Sequence, residues 1–186
     1  MSEKKSISIG DIFPDDVTEQ VREIGQNAVW SLSSCKVNYG VDQLCDNDLT
    51  TFWQSDGPQP HLINIQFHKK TAVRYISIYT DFKSDESYTP NKISIRVGND
   101  PHDLHQVEIL ELDEPSGWIN TELQKDEQTI KTFMIQIAVL GNHQNGRDTH
   151  LRQIKIFAPK HNTFDEKLPS IEQFTSTSLA QYSCIR

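Results

Sequence analysis

Residues 133–139 read Phe-Met-Ile-Gln-Ile-Ala-Val. Phe133, Ile135, Ile137 and Val139 occupy every second position, with Met134, Gln136 and Ala138 between them. A period of two is that of a pleated strand, whose successive side chains leave opposite faces. β-Branched and aromatic residues suit its buried face. The alternation recurs outward in both directions, in Ile63, Ile65 and Phe67, in Ile76 and Ile78, in Ile93, Ile95 and Val97, and in Ile154 and Ile156. Weaker strands are expected at 28–32, 107–112 and 118–123. Turn residues separate most of these runs: Gly57-Pro58, Gly98-Asn99, Pro115-Ser116-Gly117 and Asn145-Gly146. Long helical periods are missing between them, which disfavours parallel βαβ units. The expectation is an all-β, antiparallel two-sheet sandwich.

The flanks differ. Val17, Val21 and Ile24 fall at i, i+4 and i+7, with Asp16 and Glu19 in a capping-box-like pattern and Gly25 at the far end. This predicts a short helix before the sandwich. Residues 1–15 are polar and aperiodic and read as a flexible leader. Residues 160–186, rich in Ser, Thr and Gln, read as an extended tail. The sandwich domain is thus expected over 16–159.

Composition narrows the function classes. The chain has 186 residues, a formal charge of −8 and a mean hydropathy of −0.57. Apolar runs are far shorter than the ~20 residues a membrane helix needs, so no membrane partner is expected. The N-terminus lacks an apolar signal core. Residues 100–127 hold nine acids and one base, Lys125, and no basic stripe offsets them, so nucleic acid is not expected as a partner. Cys35, Cys45 and Cys184 are odd in number and lack CxxC spacing, which fits free thiols in a reducing compartment.

If the strands alternate in direction, the segment 34–60 and the loops 81–90 and 141–150 share one end of the sandwich. Loop 141–150 reads Gly-Asn-His-Gln-Asn-Gly-Arg-Asp-Thr-His. Nearly every side chain there can donate or accept a hydrogen bond. Two readings stand side by side: a recognition loop, or a plain hairpin carrying the Asn145-Gly146 turn signal. Trp53 reads equally as an exposed binding aromatic or a core-edge residue, whereas Trp30 and Trp118 read as packing residues. His143, His150 and Asp148 could be assembled with a hydroxyl into a hydrolytic set, but no GxSxG elbow, P-loop or GxGxxG occurs. His102 and His105, like His143, Asp148 and His150, lack a recognised metal spacing. No catalytic residue, cofactor or metal is expected.

Longer blocks of sequence then carry a resemblance. Ala28–Lys36, Gly40–Leu44, Trp53–Gly57, Lys83–Pro90, Glu114–Ile119, Asn142–His150 and Arg152–Ile156 resemble, in order, the DOC-domain subunits of the anaphase-promoting complex, and the terminal Ile185-Arg186 resembles their C-terminus. The resemblance implies a jelly-roll β-sandwich of galactose-binding-like type, without catalysis. It implies a co-receptor that acts beside a WD40 coactivator on the destruction box of cell-cycle substrates and raises the processivity of ubiquitination. Expected partners are cullin-type and tetratricopeptide-repeat scaffold subunits, and the expected location is nucleus and cytoplasm. The matching degron-binding positions are Asn142, His143, Gln144, Asn145, Arg147, Asp148 and His150, with Ser87, Tyr88, Trp53 and Ser55 beside them. Ile185 and Arg186 match a scaffold-docking tail. Two other classes compete: a carbohydrate-binding jelly roll, whose stacking ring would be Trp53 or Tyr88, and a hydrolase using His143 or His150.

Overall fold

The computed structural model describes residues 7–125 and 128–160. The chain runs through a one-turn helix α1 (Asp15–Thr18), strands β1 (Val21–Glu23) and β2 (Ala28–Leu32), helix α2 (Val41–Cys45) and a two-residue strand β3 (Trp53–Gln54). The long strand β4 (His61–Val73), β5 (Tyr75–Asp81), a turn of helix α3 (Phe82–Asp85), β6 (Pro90–Gly98) and β7 (His105–Glu111) follow. β8 (Ser116–Glu122), β9 (Gln124–Lys125), β10 (Gln128–Asn142), β11 (His150–Leu151) and β12 (Gln153–Pro159) complete it. Every strand pair is antiparallel.

Two sheets face each other. One is ordered β2-β4-β10-β6-β7, with β9 beside β10; the other is ordered β1-β12-β5-β8. The alternation that marked 133–139 explains the core. Ile137 stands in register with Ile63 on one side and Ile95 on the other, and Ile135 with Ile65 and Val97. From the second sheet, Ile78 is paired with Ile154 and Ile76 with Ile156. All belong to a single buried cluster. Each such side chain contributes roughly 1.5–3 kcal/mol on leaving water.

The N-terminal readings are corrected. α1 ends at Thr18, and Val21 lies in β1, opposite Pro159. Three apolar residues cannot hold an isolated helix in water, and the free edge of β12 offers Val21–Glu23 a ladder instead. Nor are residues 7–15 a loose leader. Ile12 and Phe13 are buried against Val21 and Phe157, and the Phe13 ring lies 5.0 Å from those of Tyr75 and Phe157. Asn120 Nδ2 donates to the Ile12 carbonyl at 2.9 Å. Residues 1–6 and the tail beyond Lys160 lie outside the described residues.

A second segment covers the rest of that outer face. Gln153 and Lys155, which alternate with the core isoleucines, are buried under residues 41–49. Gln153 Nε2 donates to the Gln43 carbonyl at 2.9 Å and to Asp46 Oδ1 at 2.6 Å. Lys155 Nζ donates to Glu23 Oε1 at 2.9 Å and to Asn47 Oδ1. β4 and β10 extend past the core, where they pair from Ile130↔Val73 onward. Among the described residues no helix is long and apolar enough to cross a membrane.

Candidate functional site

The three polar connections meet at one pole. Residue pairings fix this: His61, where β4 starts, faces Val139 near the end of β10; Pro90, where β6 starts, faces Asn142; and Tyr79, near the end of β5, faces Gln153. β3 and β11 pair into a small two-stranded sheet there, with His150 opposite Gln54 and Leu151 opposite Trp53. The Ser55 N–H donates to the Thr149 carbonyl at 3.1 Å, and the Thr149 N–H to Ser55 Oγ at 2.9 Å.

Loop 143–149 is not a hairpin. It leaves β10 in one sheet and feeds β12 in the other. The left-handed residues are Gln144 (φ 51°) and Asn145 (φ 56°), while Gly146 has φ −57°. The Asn145-Gly146 pair therefore does not form the expected turn. Gly146 answers a packing demand, since a Cβ there would fall 1.8 Å from the Ser87 carbonyl oxygen. The loop's carbonyls are satisfied from inside, which a tightly coiled backbone requires. Asn142 Nδ2 donates to the carbonyls of Gly146 at 3.1 Å and Asp148 at 2.8 Å. His61 Nε2 donates to the Arg147 carbonyl at 2.8 Å, and Gln59 Nε2 to that of Gly146 at 3.0 Å. The His143 N–H donates to the Thr89 carbonyl at 2.9 Å, tying this loop to 81–90.

Beneath the rim lies a buried charge cluster. Arg152 Nε and Nη2 donate to the two oxygens of Asp85, both at 2.9 Å, and Nη1 donates to the Leu49 carbonyl at 2.7 Å. His150 Nδ1 stands 3.2 Å from Asp85 Oδ1; a carboxylate only accepts, so Nδ1 carries the proton. Asp85, His150 and Arg152 are 6%, 9% and 9% exposed. Burial pushes the Asp85 carboxyl up, but the hydrogen bonds and charges of His150 and Arg152 outweigh it and hold the pKa below the usual value. Burial likewise works against the Arg152 cation, and Asp85 more than offsets it. At the start of 81–90, hydrogen bonds from Ser84 at 2.6 Å and Ser116 at 2.9 Å lower the Asp81 pKa against partial burial.

Four rings stack above this cluster. Tyr39 lies 5.0 Å from Phe52, Phe52 4.1 Å from His150, and His150 4.2 Å from Tyr88, with interplanar angles of 24°, 23° and 11°. Tyr39 and Tyr88 are partly open to solvent, and Val37 is fully displayed.

The structure sorts the residues singled out in the sequence. Gln144, Asn145, Arg147 and Tyr88 are exposed at the rim, and Ser87, His143 and Asp148 are half-buried. Trp53, Ser55, Asn142 and His150 are buried. Trp53 is a core residue whose Nε1 donates to the Ser34 carbonyl at 3.0 Å. Ile185 and Arg186 lie outside the described residues. Sequence reasoning missed Asp85, Arg152, Phe52 and His61, which build the pole from within. An arginine at the mouth of a core strand was the available signal for Arg152, since a buried guanidinium demands an acid. Among the described residues no three His, Cys, Asp or Glu side chains gather in a way that could hold a metal ion.

The family described as anaphase-promoting complex, subunit 10 (APC10) matches residues 4–184. The chain is 58% identical over 170 residues to anaphase-promoting complex subunit 10 of Homo sapiens, covering 91% of this chain and 90% of the human one. It is 42% identical over 190 residues to that of Dictyostelium discoideum, covering 100% of both. Among solved structures, the family 32 carbohydrate-binding module of NanJ from Clostridium perfringens, in complex with galactose, superposes with a TM-score of 0.62 at 15% identity over 74% of this chain and 98% of that one. The fold is therefore a galactose-binding-like jelly roll, and at such low identity the likeness extends to the fold alone.

Proposed function

The chain belongs to the family of anaphase-promoting complex subunit 10, and on that premise we propose that it is a non-catalytic substrate receptor of that ubiquitin ligase. Its rim holds part of a destruction-box peptide while a WD40 coactivator holds the rest. The observation that carries this reading is a pole on which Gln144, Asn145, Arg147 and Tyr88 reach solvent, while the loop carbonyls behind them are already satisfied by Asn142, His61 and Gln59. Such a surface offers unspent hydrogen-bonding groups at low ordering cost on the receptor side.

A degron is a short disordered peptide, so ordering it is costly and one contact is weak. A second site tethered beside the first raises effective concentration without needing tight affinity of its own. The gain falls on dissociation, so more ubiquitins are added per encounter. Cullin-type and tetratricopeptide-repeat subunits would supply the scaffold, the latter by taking the Ile185-Arg186 tail, and the work would take place in nucleus and cytoplasm.

The test replaces Gln144, Asn145 and Arg147 with Ala in a reconstituted ligase. Ubiquitin chains on a destruction-box substrate should shorten, with assembly and fold intact; chains of unchanged length sink the reading. A carbohydrate-binding reading keeps one observation in its favour, the half-open Tyr88 ring at the pole of a jelly roll. Trp53, fully buried, is not available to stack on a sugar. Titration of galactose into the labelled chain, followed by NMR, separates the two.

A further inference from the structure

The three rim loops arise from connections far apart in sequence, and the loop 143–149 is tied by backbone bonds to both of the others. Backbone and side-chain hydrogen bonds join 143–149 to residues 55, 59, 61 and 89. The long segment 34–60 and the turn 82–88 meet chiefly through Arg152. Its guanidinium reaches Leu49 in the first with Nη1 and Asp85 in the second with Nε and Nη2. One residue thereby fixes the separation of two loops while standing at the exit of the third.

Asp85 then sets the aromatic stack. Its Oδ1 receives Arg152 Nη2 and His150 Nδ1 together. The imidazole so oriented lies flat between Phe52 and Tyr88, and the Arg152 guanidinium carbon stands 5.8 Å from the centre of the Phe52 ring. Tyr88 is the exposed end of this chain of contacts. A buried ion pair adds little net stability over an apolar replacement of the same volume, because desolvation offsets attraction. Its fixed fork geometry does define orientation.

We propose that Asp85 and Arg152 are positioning residues of the peptide rim: they touch no ligand, and they hold Tyr88 and the 143–149 loop at the spacing and angle the peptide requires. The inference rests on the peptide-receptor reading above. None of the exposed polar rim residues belongs to the cluster, so its effect passes through His150, Phe52 and the loop backbones.

The experiment uses the full chain in the reconstituted ligase, with two variants, Asp85→Asn and Arg152→Lys. Arg152→Lys keeps a cation in place and carries the test should Asp85→Asn fail to fold. Two quantities are read: ubiquitin chain length on a destruction-box substrate, and amide hydrogen exchange of the free chain. Both variants should shorten chains as far as the Gln144/Asn145/Arg147 triple alanine variant does. In Arg152→Lys, which leaves neither buried charge unpaired, exchange in 143–149 and 82–89 should accelerate about tenfold while that of β4 and β10 is unchanged. A merely structural role would instead speed exchange everywhere. Loops that exchange at the wild-type rate, or uniform acceleration, overturn the proposal, as do full-length chains from variants whose triple-alanine counterpart gives short ones. If the triple variant itself gives full-length chains, the receptor reading fails, and the exchange pattern still decides whether Asp85 and Arg152 position the loops.

Discussion

Gly146 passes Ser87 so closely that a β-carbon on Gly146 would stand 1.8 Å from the Ser87 carbonyl oxygen. The obstacle is backbone, which cannot swing aside as a side-chain tip would, and the φ of −57° is open to any residue. Space alone demands glycine. Gly146→Ala should push the loops 143–149 and 82–89 apart at a cost of about 1–3 kcal/mol, the range for overpacking. Calorimetry should show a melting temperature lower by several degrees, and an unchanged value would mean that the two loops do not meet as described.

The Asp85 carboxyl titrates below its ordinary 3.8, burial raising its pKa and the bonds from His150 and Arg152 lowering it by more. A carboxylate with a depressed folded pKa stabilises the fold fully above its unfolded pKa and loses that contribution as pH falls through the folded value. The difference in urea unfolding free energy between the wild type and Asp85→Asn should therefore narrow once pH drops below 3.8. At neutral pH the variant should be less stable by roughly 3 kcal/mol, since it leaves a buried guanidinium without its acid. A difference that persists unchanged down to about pH 2.5 contradicts the depressed titration.

Phe13 sits at the centre of the second, smaller core, 5.0 Å from both Tyr75 and Phe157. Phe13→Ala should cost about 3 kcal/mol, the lower bound for emptying a buried phenylalanine site. Denaturant titration checks this. A loss under about 0.5 kcal/mol, typical of surface changes, would return residues 7–15 to the status of a leader.

The tail reading has its own test. Removing Ile185 and Arg186 should weaken co-purification with the ligase scaffold while leaving the melting temperature of the domain within a degree or so of the wild type. Wild-type recovery of the complex would show that docking lies elsewhere.

The sandwich was legible because alternation maps directly onto burial: Ile63, Ile137 and Ile95 align across three strands as a period of two requires. The shared pole was legible too, since every strand pair is antiparallel and directions could be counted. The outer face was not. Gln153 and Lys155 look like solvent-facing partners of Ile154 and Ile156, yet residues 41–49 cover them. A period tells which face is polar, not what lies over it. The same ambiguity governs the rim. Asn142 and Ser55 carry the hydrogen-bonding groups that recognition needs, but they spend them on the Gly146 and Asp148 carbonyls and the Thr149 amide. Asp85 and Arg152 lie 67 positions apart, and no local pattern connects them.

The crossing of loop 143–149 from β10 to β12 has a mechanical corollary. A partner tugging on this loop pulls on the large sheet through Asn142 and on the small one through His150, so the load divides between two hydrogen-bonded ladders in place of unzipping one hairpin. A handle anchored at both roots can be held under tension while a much larger machine moves around it.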